Sequence, residues 1–244
     1  MRSFNDYAIA AFLAAEFAPQ TTHKGRLLDL GCGMRPYAQL YAGRVEHCVA
    51  GDFEARTSGL DVRLDAQALP FPEKSFDWVL FSEVVEHLPD SRQAIAEIAR
   101  VLRPGGTLLI TWPFMHMMHE VPNDYTRYTE FGMARLLEAN GMEIEVLVRR
   151  GGALALVWSL LEFFVEGALE LLARTRLVGQ GFRFLKKPIL WLAFELPYRM
   201  YFAFALNRGL CHCVRPGDEL RGGRGKMAHW TLGYCARARR RVNE

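Results

Sequence analysis

The stretch Leu27-Leu28-Asp29-Leu30-Gly31-Cys32-Gly33 decides the fold. Two apolar residues lead into an acid, a third apolar residue follows, and a turn then opens with a glycine at each end. A buried parallel strand whose carboxyl end faces a nucleotide-like ligand has this pattern. Glycine there lets the backbone approach a ligand that a Cβ would hold off. Taken alone, Gly-x-Gly also fits an ordinary strand-to-helix turn, so the 90 residues that follow carry the decision.

Upstream, Asn5 to Ala18 spaces Tyr7, Ile9, Phe12, Leu13 and Phe17 for one helical face and ends near Pro19. Downstream, a short helix is expected to Leu40, then a second strand over Glu46-His47-Cys48-Val49-Ala50 that ends at Gly51-Asp52. An acid at the end of a second parallel strand suits a ribose diol, because one carboxylate accepts both hydroxyl protons. Glu54 is a rival for that role. In the run from Leu60 to Phe71, the Asp65 carboxylate suits an exocyclic adenine amine and the Ala66 N–H a ring nitrogen. An apolar strand, Phe76 to Phe81, leads into Ser82-Glu83-Val84-Val85-Glu86-His87-Leu88. A helix from Ser91 to Leu102 stops at Arg103-Pro104-Gly105-Gly106, and a strand follows over Thr107–Thr111. Strands alternating with helical crossovers make an α/β sheet with helices on both faces.

These pieces resemble the class I S-adenosylmethionine-dependent methyltransferases of the type 11 methyltransferase-domain group. The resemblance covers roughly residues 20–150. It rests on Leu28-Asp29-Leu30-Gly31-Cys32-Gly33, Asp65 to Phe71, Ser75-Phe76-Asp77, Glu83 to Leu88 and Leu102 to Gly106, in that order. It implies a Rossmann-like fold with S-adenosyl-L-methionine as cofactor. Asp29, Gly31, Cys32 and Gly33 would cradle its methionine part, Asp52 its ribose, and Asp65 with Ala66 its adenine. Phe81 or Ser82 would line its open side, and His87 either walls the site or caps the next helix.

A sulfonium methyl needs a nucleophile in line with the departing sulfur, so alignment and water exclusion are the main work. A base is needed only for an acceptor that is protonated at neutral pH, such as a hydroxyl. The loop Trp112-Pro113-Phe114-Met115-His116-Met117-Met118-His119-Glu120 leaves the carboxyl end of its strand, where ligands collect in such folds. Trp112 suits an acceptor wall, and His119 or His116 the base. His116, His119 and Glu120 do not form a strong metal-ligand signature, and no metal is expected. Within Tyr125-Thr126-Arg127-Tyr128-Thr129, Arg127 and Tyr128 suit an acceptor carboxylate or phosphate, although Arg127 fits equally as a brace on Asp124 or Glu130. Thr129 should cap the helix that runs to Ala139.

The charge is segregated. Residues 1–173 carry 15 Lys and Arg against 23 Asp and Glu, whereas residues 174–226 carry 11 against 3. This block falls inside an insertion. Strand-like Met142 to Val148 and the final strand, Met227 to Ala238, are an adjacent pair in the plain family, yet residues 151–228 separate them here. The insertion holds a long apolar helix with Ser159, Glu162, Glu166 and Glu170 on one narrow face, and a second apolar block, Pro188 to Leu206. Neither is clean enough to cross a membrane. Apolar faces flanked by Arg174, Arg176, Arg183, Lys186 and Lys187, and by later cations to Lys226, fit a surface element on anionic lipid. An apolar acceptor tunnel, a helical cap and a homodimer interface are the other readings. Cys211-His212-Cys213 lacks a second ligand pair and is weak as a metal cluster.

Three units are therefore expected: a cofactor-binding core (1–150), the helical insertion (151–226), and the last strand with a basic tail (227–244). The start of the chain is too acidic for a signal peptide and five cysteines make no disulfide framework, so a cytoplasmic protein, peripheral on the inner membrane face, is expected. The expected function is methyl transfer to the oxygen of a small-molecule or lipid-linked acceptor. Nucleic acid fits less well, because the aromatic residues of the insertion are not interleaved with cations. A membrane-associated assembly protein that only keeps the fold is a third reading.

Overall fold

The computed structural model describes residues 4–18, 25–55, 58–174, 188–197, 200 and 231–242. A seven-stranded sheet forms the centre: β1 (Arg26–Leu30), β2 (His47–Asp52), β3 (Val62–Arg63), β4 (Phe76–Ser82), β5 (Leu102–Pro113), β6 (Met142–Arg150) and β7 (Gly233–Arg240). The spatial order is β3-β2-β1-β4-β5-β7-β6. The first five strands are parallel, and β7 enters antiparallel between β5 and β6. This is the Rossmann-like α/β sheet expected from the strand and turn pattern, with a helical insertion before its last strand. The order reverses beside β1, which puts the Gly31–Gly33 turn at the crevice where open α/β sheets bind ligands.

Alternation along the strands divides the core into two faces. Leu28, Val79, Phe81, Leu108 and Ile110 point to one side, under α3 (Ser91–Val101) and α4 (Glu130–Glu138). Leu27, Leu80, Leu109 and Cys235 point to the other, where α1 (Phe4–Glu16) lays Ile9, Phe12, Leu13 and Phe17 on them. A one-turn α2 (Ala38–Tyr41) adds the buried Tyr41 to that second face. Asp90 caps α3 by accepting the Gln93 N–H, and Thr129 caps α4 through the Gly132 N–H, as its position predicts.

Three boundaries differ from the sequence expectation. The Arg103-Pro104-Gly105-Gly106 run does not separate a helix from a strand. The helix ends at Val101 and β5 begins at Leu102, with the ladder to β4 broken between Phe76 and Trp78. Proline has no N–H to give and Gly105 sits at φ 77°, so the run is accommodated as an irregularity inside a strand. The last strand starts at Gly233 rather than Met227, and Met227 to Trp230 lie outside the described residues. The expected basic tail is part of β7: Arg237 and Arg239 both pair with Glu145, and Arg240 donates to the Leu102 carbonyl.

The long insertion helix is α5 (Ala153–Arg174). Leu156, Val165 and Leu169 pack toward Leu190, Phe194 and Leu232, as the apolar face of a surface helix does. Ser159, Glu162 and the exposed Glu166 border a cavity. A further apolar face is open, with Val157, Phe164 and Leu171, spaced by sevens, 63–69% exposed. Among the described residues no helix is long and apolar enough to cross a membrane. Positions 198–199 and 201–206 of the second apolar block, the cations from Arg176 to Lys226 and Cys211-His212-Cys213 lie outside the described residues.

Candidate active site

The carboxyl ends of β1 and β2 are locked to each other by backbone. Gly31 and Cys32 both donate N–H to the Gly51 carbonyl, at 2.8 and 3.2 Å. The Gly33 N–H donates to Asp52 Oδ2 at 2.8 Å, while Asp52 Oδ1 accepts the Glu54 N–H at 3.0 Å. Asp52 is therefore the acid at the glycine turn, and Glu54 meets it through its own backbone. Both glycines have positive φ, 70° at Gly31 and 51° at Gly33. A Cβ on Gly31 would run into Val84, whereas one on Gly33 would meet nothing within 4 Å. Gly31 thus fixes the turn, and Gly33 faces open space where a ligand can come against the backbone.

Asp29 lies beneath this turn, 6% exposed, and accepts the Tyr41 hydroxyl at 2.6 Å. Burial pushes its carboxyl up to about 6, against the opposing effects of the Tyr41 hydrogen bond and the Arg35 charge. The Cys32 thiol is pushed up to about 12 by burial and then by the charges of Asp29 and Asp52, so it is a neutral wall and no nucleophile. Arg35, itself at φ 54°, reaches from the turn to the Gly59 carbonyl and the Tyr41 hydroxyl. Tyr41 and Arg35 are site residues that motif reading does not identify; an Arg and a Tyr six apart carry no pattern of their own.

Asp65 is held by its own turn: Oδ1 accepts the Gln67 N–H at 2.8 Å, and its carbonyl accepts the Ala68 N–H. The Ala66 side chain is in the core. Ser82, at the end of β4, shares a 2.9 Å hydrogen bond with the Thr111 hydroxyl, which in turn donates to Glu83 Oε1. Phe81 is fully buried among the core residues, so its ring cannot line an open ligand site; of that pair only Ser82 stands at the rim. The turn, the acids at the ends of β2 and β3, and the open space at Gly33 together fit S-adenosylmethionine.

The other rim is built by long-range ion pairs. Glu83 follows β4 at φ 53° and accepts Arg150 Nη2 at 2.9 Å. Arg150, at the end of β6, is fully buried and also donates to the Trp112 carbonyl at 2.6 Å. Trp112 is itself 1% exposed, stacks on Tyr234, and donates its indole N–H to the Tyr128 carbonyl. It is a core residue and not the acceptor wall that its place at a strand end suggests. Tyr128 bonds the Ser91 hydroxyl at 2.7 Å. Arg127 grips Asp124 with both terminal nitrogens and reaches the Met117 carbonyl at 3.3 Å. Of its two expected roles it fills the bracing one, and the guanidinium holds the Asp124 carboxyl well below the usual carboxylate range.

This brace folds the loop after β5 back over the end of β4. The Tyr125 N–H donates to the Glu86 carbonyl, His87 Nδ1 lies 2.6 Å from the Asn123 carbonyl, and the His119 N–H donates to Asp124. His119 and His87 stack edge to face at 4.7 Å, and His116 touches His119 at 5.1 Å. Burial lowers the affinity of His116 for a proton. Glu86, absent from the sequence-level list, lies among them 1% exposed, with its carboxyl pushed far up by burial and by Glu83. Beside this loop a cavity of about 400 Å³ opens toward α5, lined by Met115, His116, Met117, Phe163, Glu162 and Glu166 among others.

Residues 28–110 match the family model described as a methyltransferase domain, the kind of domain that the motifs resemble. Among similar proteins are a 27-O-demethylrifamycin SV methyltransferase of Amycolatopsis mediterranei, 37% identical over 35% of this chain and 37% of its own, and a demethylmenaquinone methyltransferase of Thermus thermophilus, 35% identical over 41% and 50%. The chain spans about half or less of the curated relatives it matches most strongly. Among solved structures, the cyclase SpnF superposes with a TM-score of 0.55 at 19% identity, covering 96% of this chain and 82% of that one. That likeness concerns the fold alone, and a fold hosts more than one chemistry.

Proposed function

We propose that the whole protein is an S-adenosylmethionine-dependent methyltransferase acting on the oxygen of an apolar small-molecule or lipid-linked acceptor at a membrane surface. The cofactor supplies an electrophilic methyl on a sulfonium. Gly33 and Asp52 hold it at the turn, with Asp29, Asp65 and Ser82 around it. The observation that carries the acceptor half is the cavity between the 115–119 loop and α5, where methionine, leucine and phenylalanine side chains meet a few polar groups. Such lining suits a largely apolar molecule with one reactive polar end. His119, one-third exposed and next to His116 of the lining, is the candidate to receive a hydroxyl proton, and His116 is the second. Relatives named for 27-O-demethylrifamycin SV and for demethylmenaquinone agree with an apolar acceptor.

Contact with a membrane is supported by the outward stripe Val157, Phe164 and Leu171, next in sequence to the basic block 174–226. Incubating the full chain with methyl-labelled cofactor and a lipid extract tests the reaction: label in an apolar product, alkali-stable and carried on an ether oxygen, is expected. Label found only in nucleic acid would reject this acceptor class. Co-sedimentation with vesicles containing anionic lipid tests the location, with the triple change Val157→Ser, Phe164→Ser and Leu171→Ser expected to abolish it. Equal sedimentation of both proteins would remove α5 from the interface.

A further inference from the structure

We propose that Glu86, His87 and His119 bind one divalent cation of the zinc class. Each offers one ligand atom, and the three atoms lie within 4.8 Å of one another. His87 and His119 are 32 positions apart in sequence and meet only because the Asp124–Arg127 brace folds the loop back. His116-x-x-His119-Glu120, the metal-like run visible in the sequence, is a different set.

The cluster leaves a buried carboxyl without a partner. Neither carboxylate oxygen of Glu86 has a hydrogen-bond partner, although the side chain is 1% exposed. His87 Nε2 lies 3.7 Å and His119 Nε2 3.8 Å from Oε1, both beyond hydrogen-bond reach. Each ring turns its other nitrogen to an acceptor: His87 Nδ1 to the Asn123 carbonyl at 2.6 Å, and His119 Nδ1 to the Met117 carbonyl at 3.2 Å. A carbonyl only accepts, so Nδ1 carries the hydrogen in both neutral rings, and Nε2 turns a lone pair toward Glu86. Metal-bound histidines hold their second nitrogen in this way, which fixes tautomer and aim.

Arg127 pairs with Asp124 and Arg150 with Glu83, so neither makes an ion pair with Glu86, although both charges are felt there. Two imidazoles and one carboxylate select zinc-like ions over magnesium or calcium, which prefer oxygen alone. In a tetrahedral zinc site the donors stand about 3.3 Å apart. The Glu86–His87 and Glu86–His119 separations, 3.7 and 3.8 Å, close by a few tenths of an ångström, and the pair of ring nitrogens, within 4.8 Å, closes by movement of the loop that carries His119. Three protein ligands leave a fourth position for water. On the methyl-transfer reading above, an acceptor oxygen takes that position and gives its proton to His116, since His119 is then a ligand; cation binding itself does not depend on that reading.

Cobalt(II) titrated into the full chain, stripped of metal and with no cofactor or acceptor present, tests the site by its visible absorption and by calorimetry. One equivalent is expected to bind with a spectrum free of thiolate charge transfer. Glu86→Gln and His119→Ala should each weaken binding about 100-fold or more, beyond the 10–100-fold typical of lost outer-shell partners. His116→Ala should leave it unchanged. His119→Ala changes a partly exposed loop side chain, so it keeps the test clean if Glu86→Gln folds poorly. Absence of binding, or binding that survives His119→Ala, would overturn the proposal; thiolate-type binding at Cys211-His212-Cys213 would show itself by such survival. Failure of the methyl-transfer assay with cobalt still bound would count against the acceptor reading and leave the site standing.

Discussion

The two rims of this crevice are made differently. The cofactor rim is local: Asp29, Gly31, Gly33, Tyr41 and Asp52 lie within 24 residues and meet through backbone N–H groups, one hydroxyl and two carboxylates. The acceptor rim is assembled from charges far apart in the chain, with Glu83 paired to Arg150 across 67 residues and Glu86 facing His119 across 33. A rim built from backbone tolerates little change of ligand. One built from side-chain pairs on a loop can be refitted to a new acceptor without disturbing the other.

The sharpest test of that difference is Arg150→Met. It removes a guanidinium with no exposed surface and leaves Glu83 without its ion-pair partner. Breaking a buried pair in this way typically costs about 3–5 kcal/mol, read as a fall in the denaturant midpoint. Cofactor affinity per folded molecule should hold, and its collapse would show that the rims are coupled.

Next comes Asp29→Asn. The folded carboxyl titrates near 6, above the ordinary 3.8, so between those values the folded state holds more protons than the unfolded chain. Stability therefore falls as pH rises from about 4 to about 6 and stays lower above. At 1.36 kcal/mol per tenfold, the ionised acid costs about 3 kcal/mol there. Asparagine still accepts the Tyr41 hydroxyl, so the variant should be more stable by up to that amount at pH 8 and no more stable at pH 4. Chemical denaturation at the two pH values checks this. If Asp29 also serves the cationic cofactor, the stabilised variant binds it more weakly; unchanged binding would make Asp29 a brace for Tyr41 only.

The smallest change is Asp52→Asn, at a half-buried position where fold stability should barely move. Charged hydrogen bonds contribute about 1.5–3 kcal/mol, so cofactor binding should weaken roughly 10–100-fold by calorimetry. An unaltered affinity would shift the ribose contact to Glu54 and loosen the picture of a rim fixed by backbone.

The same contrast explains what could be read from the residues. Asp29, Gly31, Gly33 and Asp52 announce themselves because the glycines answer a local backbone need and the acids sit at strand ends. Thr129 is legible as a cap for the same local reason. Trp112 misleads: a tryptophan at a strand end looks like a ligand wall, but it is closed in by Tyr234 and the Tyr128 carbonyl, both brought there by tertiary structure. Glu86 could be read only as part of the Glu83–Leu88 motif, because its meeting with His119 depends on Asp124 and Arg127 bringing the loop over it. Arg127 itself could be read only as two equal alternatives, since which partner it takes depends on how the loop closes. The segment Arg103 to Gly106 carries a strong stop signal, yet the sheet absorbs it as an irregular ladder position.

The sheet order has a consequence for how the chain is made. β6 touches the sheet only through β7, and Gly233 emerges 83 residues after Arg150. At about 5–20 residues per second, the ribosome takes roughly 4–17 s to supply it. Through that interval the β5 edge, with Leu108, Ile110 and Trp112, has no neighbour, while Arg150 and Glu83 wait for the strand that seals them. Unpaired strand edges invite association with other chains. The insertion therefore sets a clock on biosynthesis: the half of the sheet that holds the glycine turn can close early, and the half that shapes the acceptor side matures last.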